Sequence, residues 1–84
     1  MLKITTESGR VYFSDPDNRR FMRTGEGKAP GQWFENNEWI SANRISNPGV
    51  GQHWRVEDIG SWMDPDLWLR TSRVVSVEEV GEVG

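Results

Sequence analysis

Turn-forming residues recur along this chain at short intervals and limit the segments between them to strand length. Glycine, proline, asparagine and aspartate separate short runs rich in valine, isoleucine and aromatic side chains. A helix would need a longer stretch with an apolar period near 3.6, and no segment shows one convincingly. Short strands bounded by turns every 8–12 residues or so are typical of an all-β sandwich or small barrel. The sequence therefore predicts an all-β fold.

The amino-terminal part indicates three strands of a meander. Apolar and polar residues alternate over residues 2–5, which is the pattern of a half-buried strand. A turn at Gly9 precedes strand formers at residues 11–13. Asp15-Pro16-Asp17-Asn18 predicts a type I turn before a third strand from Arg19 to Thr24.

The middle of the chain leaves two interpretations open. Residues 24–32 predict a glycine-rich loop. The segment from Trp33 to Ile45 fits a hairpin with an Asn36-Asn37 turn, and a short helix over residues 36–43 is the alternative. Asn47-Pro48-Gly49 then predicts a type II turn.

The carboxyl-terminal part predicts the last strands. Gln52 to Glu57 places Trp54 and Val56 on one face of a strand, and Arg73 to Val80 contains four valines. We expect one antiparallel barrel of five or six strands over residues 1–80, followed by a frayed tail at 81–84. Closure is favoured because it removes exposed edges from a sheet too small to cover them.

Both ends of the chain carry a resemblance to known proteins. The segment Leu69-Arg70-Thr71-Ser72-Arg73-Val74-Val75-Ser76-Val77 resembles the end of an SH3-like barrel, in which a 3₁₀ turn (here residues 71–73) precedes the closing strand. The opening segment from Leu2 to Tyr12 is similar to that of small actinobacterial-phage proteins, many of which end in Thr-Ser-x-Val-Val. Residues 25–60 have no such match. The resemblance implies a phage gene product in a bacterial cytoplasm, with no catalytic residue carried over.

Composition narrows the possible classes of protein. The chain has no cysteine, which excludes disulfides and thiolate metal sites. Its net charge of −3 comes from 13 acidic and 10 basic residues, so the molecule as a whole is not expected to attract phosphate. No apolar run approaches the roughly 18 residues of a membrane span, and no signal peptide opens the chain. We expect a cytoplasmic protein without a cofactor or metal.

Three motifs could carry chemistry, but each has a simpler structural explanation. Asp15-Pro16-Asp17 and Asp64-Pro65-Asp66 could ligate a hard cation, although Asp and Pro are favoured turn residues. No nucleophile motif surrounds His53, the only histidine. The stretch from Thr24 to Lys28 lacks the spacing of a phosphate-binding loop. We therefore expect no enzymatic activity.

The tryptophans carry the main binding hypothesis. Five in 84 residues exceed what a thin core easily holds. Trp54, Trp68 and Trp62 fit inward-facing strand positions, whereas Trp33 and Trp39 border the glycine-rich loop and are better candidates for exposure. Trp and Arg are enriched at binding hot spots. The predicted protein-binding surface consists of Trp33, Phe34, Trp39 and Arg44.

This surface predicts a non-enzymatic binding protein that engages another protein or a second copy of itself, and the resemblance implies that it is a phage product whose partner is a host or phage protein. The alternative is a nucleic-acid-binding barrel, because residues 1–24 hold five basic and three acidic residues, a local charge of +2. Rings and guanidinium groups on one sheet face can stack bases and follow phosphates. A minor virion structural protein is a third possibility. The candidate nucleic-acid-binding residues are Arg10, Tyr12, Arg19, Arg20 and Arg23.

Overall fold

The computed structural model describes residues 1–25, 34–60 and 64–81, which form a closed antiparallel barrel of six strands. Each strand pairs with the next along the chain, and the last pairs with the first. This confirms the all-β prediction and its upper strand number. The strands are β1 (Leu2–Thr6), β2 (Val11–Asp15), β3 (Arg20–Arg23), β4 (Ile40–Ile45), β5 (His53–Ile59) and β6 (Asp64–Glu79).

The sixth strand closes the barrel. Strand β6 is 16 residues long, and it pairs with β5 through residues 64–73 and with β1 through residues 74–79. The 3₁₀ turn predicted at Thr71-Ser72-Arg73 is wrong, because these residues lie inside the continuous strand. The ladder to β5 reaches Arg73 and the ladder to β1 begins at Val74, and the chain passes residues 71–72 with a shift of register against β5 rather than with a 3₁₀ turn.

The first two predicted turns are present. Gly9 adopts a φ of 87°, which suits a residue without a Cβ. The predicted type I turn at Asp15–Asn18 is realised as one turn of 3₁₀ helix, Pro16–Asn18. Its last backbone bond runs from the Arg19 amide to the Pro16 carbonyl oxygen at 3.0 Å. The meander predicted for the amino-terminal part is confirmed.

In the middle of the chain the predicted Asn36-Asn37 turn is present, but the hairpin predicted around it is wrong, because Phe34 and Glu35 are not in a strand and β4 pairs with β3 instead. The alternative helix over residues 36–43 is wrong as well. Asn37 takes a left-handed φ of 65°, as an Asn-Asn turn requires, and β4 begins at Ile40. The type II turn predicted at residues 47–49 is wrong. The turn lies two residues later, where Gly51 has a φ of 87° and Gln52 donates to the Gly49 carbonyl at 3.0 Å. Hydrogen bonds of Gly51 and Gln52 to Val74 hold this turn against β6.

Inward-facing side chains from every strand fill the barrel. Phe21 and Trp54 are fully buried at its centre, with ring centroids 6.1 Å apart in an edge-on arrangement. The Trp54 Nε1 donates to the Ser46 carbonyl at 2.9 Å, which satisfies its one polar atom. The predicted inward position of Trp54 is confirmed, whereas Trp62 lies outside the described residues. Among the described residues, the buried hydrophobic core is Ile4, Tyr12, Phe21, Phe34, Ala42, Trp54, Val56, Ile59 and Val74.

Candidate functional site

The residues predicted to bind protein do not share one exposed surface in the described part of the chain. Phe34 belongs to the core. Trp39 is half-buried, with the Arg20 guanidinium carbon 4.1 Å from the ring centroid. Arg44 is exposed on β4 and forms an ion pair with another strand. Trp33 lies outside the described residues, so its part in the hypothesis stays a prediction.

The residues predicted to bind nucleic acid are mostly withdrawn from solvent. Tyr12 and Arg23 are paired across β2 and β3, and both are buried. The Arg20 Nε is held by an Asp15 carboxylate oxygen at 2.8 Å. Arg10 is half-buried, and Arg19 is exposed. The structure therefore does not assemble this set into one open face.

A different group of cations lies on the outer side of β5 and β6. Pairing in the ladder places His53 opposite Arg73, and Arg55 opposite Arg70. All four side chains are exposed. Residues directly opposite each other in an antiparallel ladder share a face, so these four form two neighbouring rows. We call this surface, with Arg44, Glu57, Asp66 and Trp68, the arginine face.

Trp68 is the aromatic member of the arginine face. Its predicted inward position is wrong, because the side chain is 51% exposed. Trp68 lies opposite Glu57, which follows the buried Val56 and so points outward. The Arg55 guanidinium carbon is 4.9 Å from the Trp68 ring centroid, a cation–π contact that leaves much of the ring open.

Positive charge on the arginine face is only partly neutralised. Glu57 accepts from the Arg55 Nε at 2.8 Å and lies 3.7 Å from an Arg44 nitrogen. The Arg70 guanidinium has no hydrogen bond or ion pair with any described residue. Like charges placed directly opposite in a ladder are destabilising, as Arg55 and Arg70 are. Four arginines against Glu57 and Asp66 give the face a charge of +2, in a chain whose net charge is −3.

A shallow groove lies beside this ion-pair network. It has a volume of about 270 Å³ and lies between the end of β4 and the middle of β5. Its walls combine guanidinium groups, a carboxylate and an aliphatic side chain, so it offers donors and an apolar patch together. The lining residues are Arg44, Ile45, Ser46, Arg55 and Glu57.

Sequence reasoning missed Trp68, Arg70 and Arg73, although a signal was present. Leu67 and Leu69 are partly buried and pack against the core. Their alternation with Trp68 and Arg70 is the period-2 pattern of a strand that has one buried face and one solvent-exposed face. The size of the tryptophan ring favoured a core position for Trp68, whereas this alternation indicates the exposed one.

The described residues offer little for other kinds of site. Among them, no three His, Asp or Glu side chains converge in a way that could hold a metal ion. The same part of the chain contains no helix of the length and apolar character that crossing a membrane would require. No protein-family model, curated protein or solved structure matches the chain.

Proposed function

We propose that this chain is a non-enzymatic binding protein whose arginine face binds single-stranded nucleic acid. The observation that carries the proposal is the open Trp68 ring, which has the Arg55 guanidinium against it and Arg70 two residues along the same strand. Proteins that bind single strands combine aromatic stacking platforms with guanidinium groups that follow the backbone. The arginine face has both components on one rigid sheet.

The spacing of the rows supports a short binding site. Two residues along a strand advance by about 7 Å, so the three rows span roughly 14 Å of sheet. That length accommodates a few nucleotides, with one base on Trp68 and phosphates near Arg55, Arg70 and Arg73. With about three or four phosphate contacts, log K should fall with log salt at a slope of about −2 to −3. The resemblance to phage proteins would place this binding in a bacterial cytoplasm.

A protein partner is the second candidate, and the exposed apolar side chains favour it. Among the described residues, the large hydrophobic side chains that are exposed are Val50 (66%), Trp68 (51%) and Val75 (50%). Trp68 and Val75 lie on β6, and Val50 lies in the turn that leads into β5. Tryptophan and arginine are enriched at protein hot spots. A host or phage protein, or a second copy of this chain, would use the same surface.

Fluorescence anisotropy with a labelled oligothymidylate, measured at several salt concentrations, tests the first candidate. We expect saturable binding to the wild-type protein with the salt slope given above. Trp68→Ala should weaken the affinity about 5- to 100-fold, the loss of one stacked base. Arg70→Gln should weaken it and flatten the salt slope, whereas Arg19→Gln removes the same charge from an exposed site off the face and should bind like wild type.

Two outcomes would overturn nucleic-acid binding. One is an affinity that Trp68→Ala leaves unchanged in a folded variant. The other is capture of a stoichiometric protein from a bacterial lysate after nuclease treatment, with no binding to the oligonucleotide. If Trp68→Ala abolishes that capture, the arginine face is a protein interface and the second candidate holds.

A further inference from the structure

A buried arginine on β3 has no counter-charge among the described residues. Arg23 is 5% exposed, and its Nε is buried without a hydrogen-bond partner. None of the ion pairs in the described part of the chain involves it. A buried charge without a partner is strongly destabilising, so native proteins pair such groups with an opposite charge. An anion bound beside Arg23 would therefore supply the counter-charge that the described residues do not provide.

Two further donors lie beside Arg23. Tyr12 is its partner across the β2–β3 ladder, and the nearby Arg23 guanidinium acts to lower the pKa of the Tyr12 phenol. Arg10 is also close enough to act on this phenol electrostatically. Burial raises the pKa of Tyr12 in spite of the opposing effect of the two guanidinium groups. The phenol is thus protonated at neutral pH and can donate a hydrogen bond, but it cannot neutralise the charge of Arg23.

The chain at Gly25 lets Arg10 approach this cluster from the solvent side. Gly25 is exposed and has a φ of 110°. A Cβ at this position would lie 2.7 Å from the Arg10 Nη1, closer than real contacts allow. The guanidinium of the half-buried Arg10 therefore lies against the backbone of the exposed Gly25, at the solvent side of the barrel.

We propose that Arg10, Tyr12 and Arg23 form an oxyanion site that takes a carboxylate or phosphate group. The guanidinium fork matches the paired oxygens of these groups, and an anion supplies the charge that a water molecule or the phenol cannot. The site lies on β2 and β3, which are not neighbours of the β5–β6 ladder in the barrel. It is separate from the arginine face and does not depend on the function proposed for that face.

Arginine Nε–Hε signals in a ¹H–¹⁵N spectrum of the full chain report on this site directly. The protein would be titrated with sodium phosphate and, separately, with sodium acetate, against sodium chloride at constant ionic strength. We expect saturable shifts of the Arg23 and Arg10 signals. The melting temperature should rise by about 5–10 °C for each tenfold excess of the anion over its Kd. A stronger response to phosphate identifies a phosphoryl ligand, and a stronger response to acetate identifies a carboxylate.

Two variants separate binding from folding, because Arg23 itself is too buried to replace safely. Tyr12→Phe keeps the ring that packs edge-on against Trp54 at 5.5 Å and removes only the hydroxyl donor. Arg10→Gln removes the cation at the rim. Each should weaken the anion affinity at least severalfold, whereas Arg19→Gln should respond like wild type. Shifts that do not saturate, or that are equal in all four proteins, would show a general ion effect and overturn the proposal. Absence of any shift at Arg23 would overturn it as well.

Discussion

The eight arginines of this chain divide into two groups of four with opposite environments. In the group at residues 10–23, Arg23 is buried, Arg20 is bonded to Asp15, and Arg19 alone is exposed. In the group at residues 44–73, all four members are exposed. The two groups have the same size and residue type. The difference shows that strand alternation and register, rather than local composition, decide which cations are exposed to solvent.

The contrast has a simple origin in the pleat of the strands. Arg23 is two residues from Phe21, and both side chains face the interior of the barrel. Arg55 lies between Trp54 and Val56, which face inward, so it must face outward. The local charge of +2 over residues 1–24 consequently belongs to a segment in which most basic side chains are buried or half-buried.

The largest expected effect comes from the tryptophan inside the barrel. Trp54→Ala removes a fully buried ring that contacts both Tyr12 and Phe21, so we expect a loss of about 3–5 kcal/mol of unfolding free energy. Domains of this kind have about 5–15 kcal/mol in total, so the variant should be close to unfolding. Urea denaturation followed by circular dichroism measures the loss.

Trp68→Ala is the matched control for this measurement. It removes the same side chain from the surface of the same barrel, and we expect its unfolding free energy to stay within about 1 kcal/mol of wild type. Trp54→Ala should therefore lower the stability of the barrel, whereas Trp68→Ala should weaken binding and leave the stability nearly unchanged. Equal destabilisation by both would mean that Trp68 is part of the folding core, and the distinction between interior and arginine face would fail.

Much of this fold follows from residue patterns that act locally. Alternating residues in β1 and β5 predicted the strands and the faces that Trp54 and Val56 occupy. Gly9 and Asn37 predicted turns because few other residues accept their backbone angles. The turn at Gly51 and the unbroken β6 were missed, since both depend on hydrogen bonds to distant strands.

The site was harder to predict than the fold. An exposed ring and a buried ring look the same in sequence, and the side that Trp68 faces is set by its pairing with Glu57. The burial of Arg23 has the same cause, since its pairing with Tyr12 turns it inward. Of the residues predicted from sequence to bind protein or nucleic acid and described by the structure, Arg44 alone belongs to the arginine face.

Asp15→Asn tests the comparison by removing the carboxylate that binds the Arg20 guanidinium. Hydrogen bonds from Asn18 and Arg20 lower the pKa of the Asp15 carboxyl. A lowered pKa stabilises the fold above about pH 4, and this contribution is lost as the pH falls through the folded-state value. The variant lacks that contribution, so its unfolding free energy should fall less steeply than that of the wild type below about pH 4. The difference between the two losses should be at most about 1 kcal/mol.

Urea denaturation at several pH values checks this expectation. Asp17→Asn is the control, because it removes one carboxylate from the same 3₁₀ turn and leaves the bond between Asp15 and Arg20 in place. It should keep the acid-dependent loss of the wild type. If Asp15→Asn keeps that loss too, the titration of the Asp15 carboxyl is not its cause.

Arg44→Gln is expected to have the smallest effect on stability. Its ion pair with Glu57 is long, at 3.7 Å, and the Arg44 side chain is largely in water, so the unfolding free energy should change by no more than about 0.5 kcal/mol. Glu57 keeps its shorter bond to Arg55. Binding of an oligonucleotide should respond more clearly, because one phosphate contact accounts for about 0.7 of the salt slope on a single strand. A flatter slope at unchanged stability would place Arg44 within the binding surface. An unchanged slope would confine that surface to β5 and β6, where Arg55, Trp68 and Arg70 would have to bind without the groove.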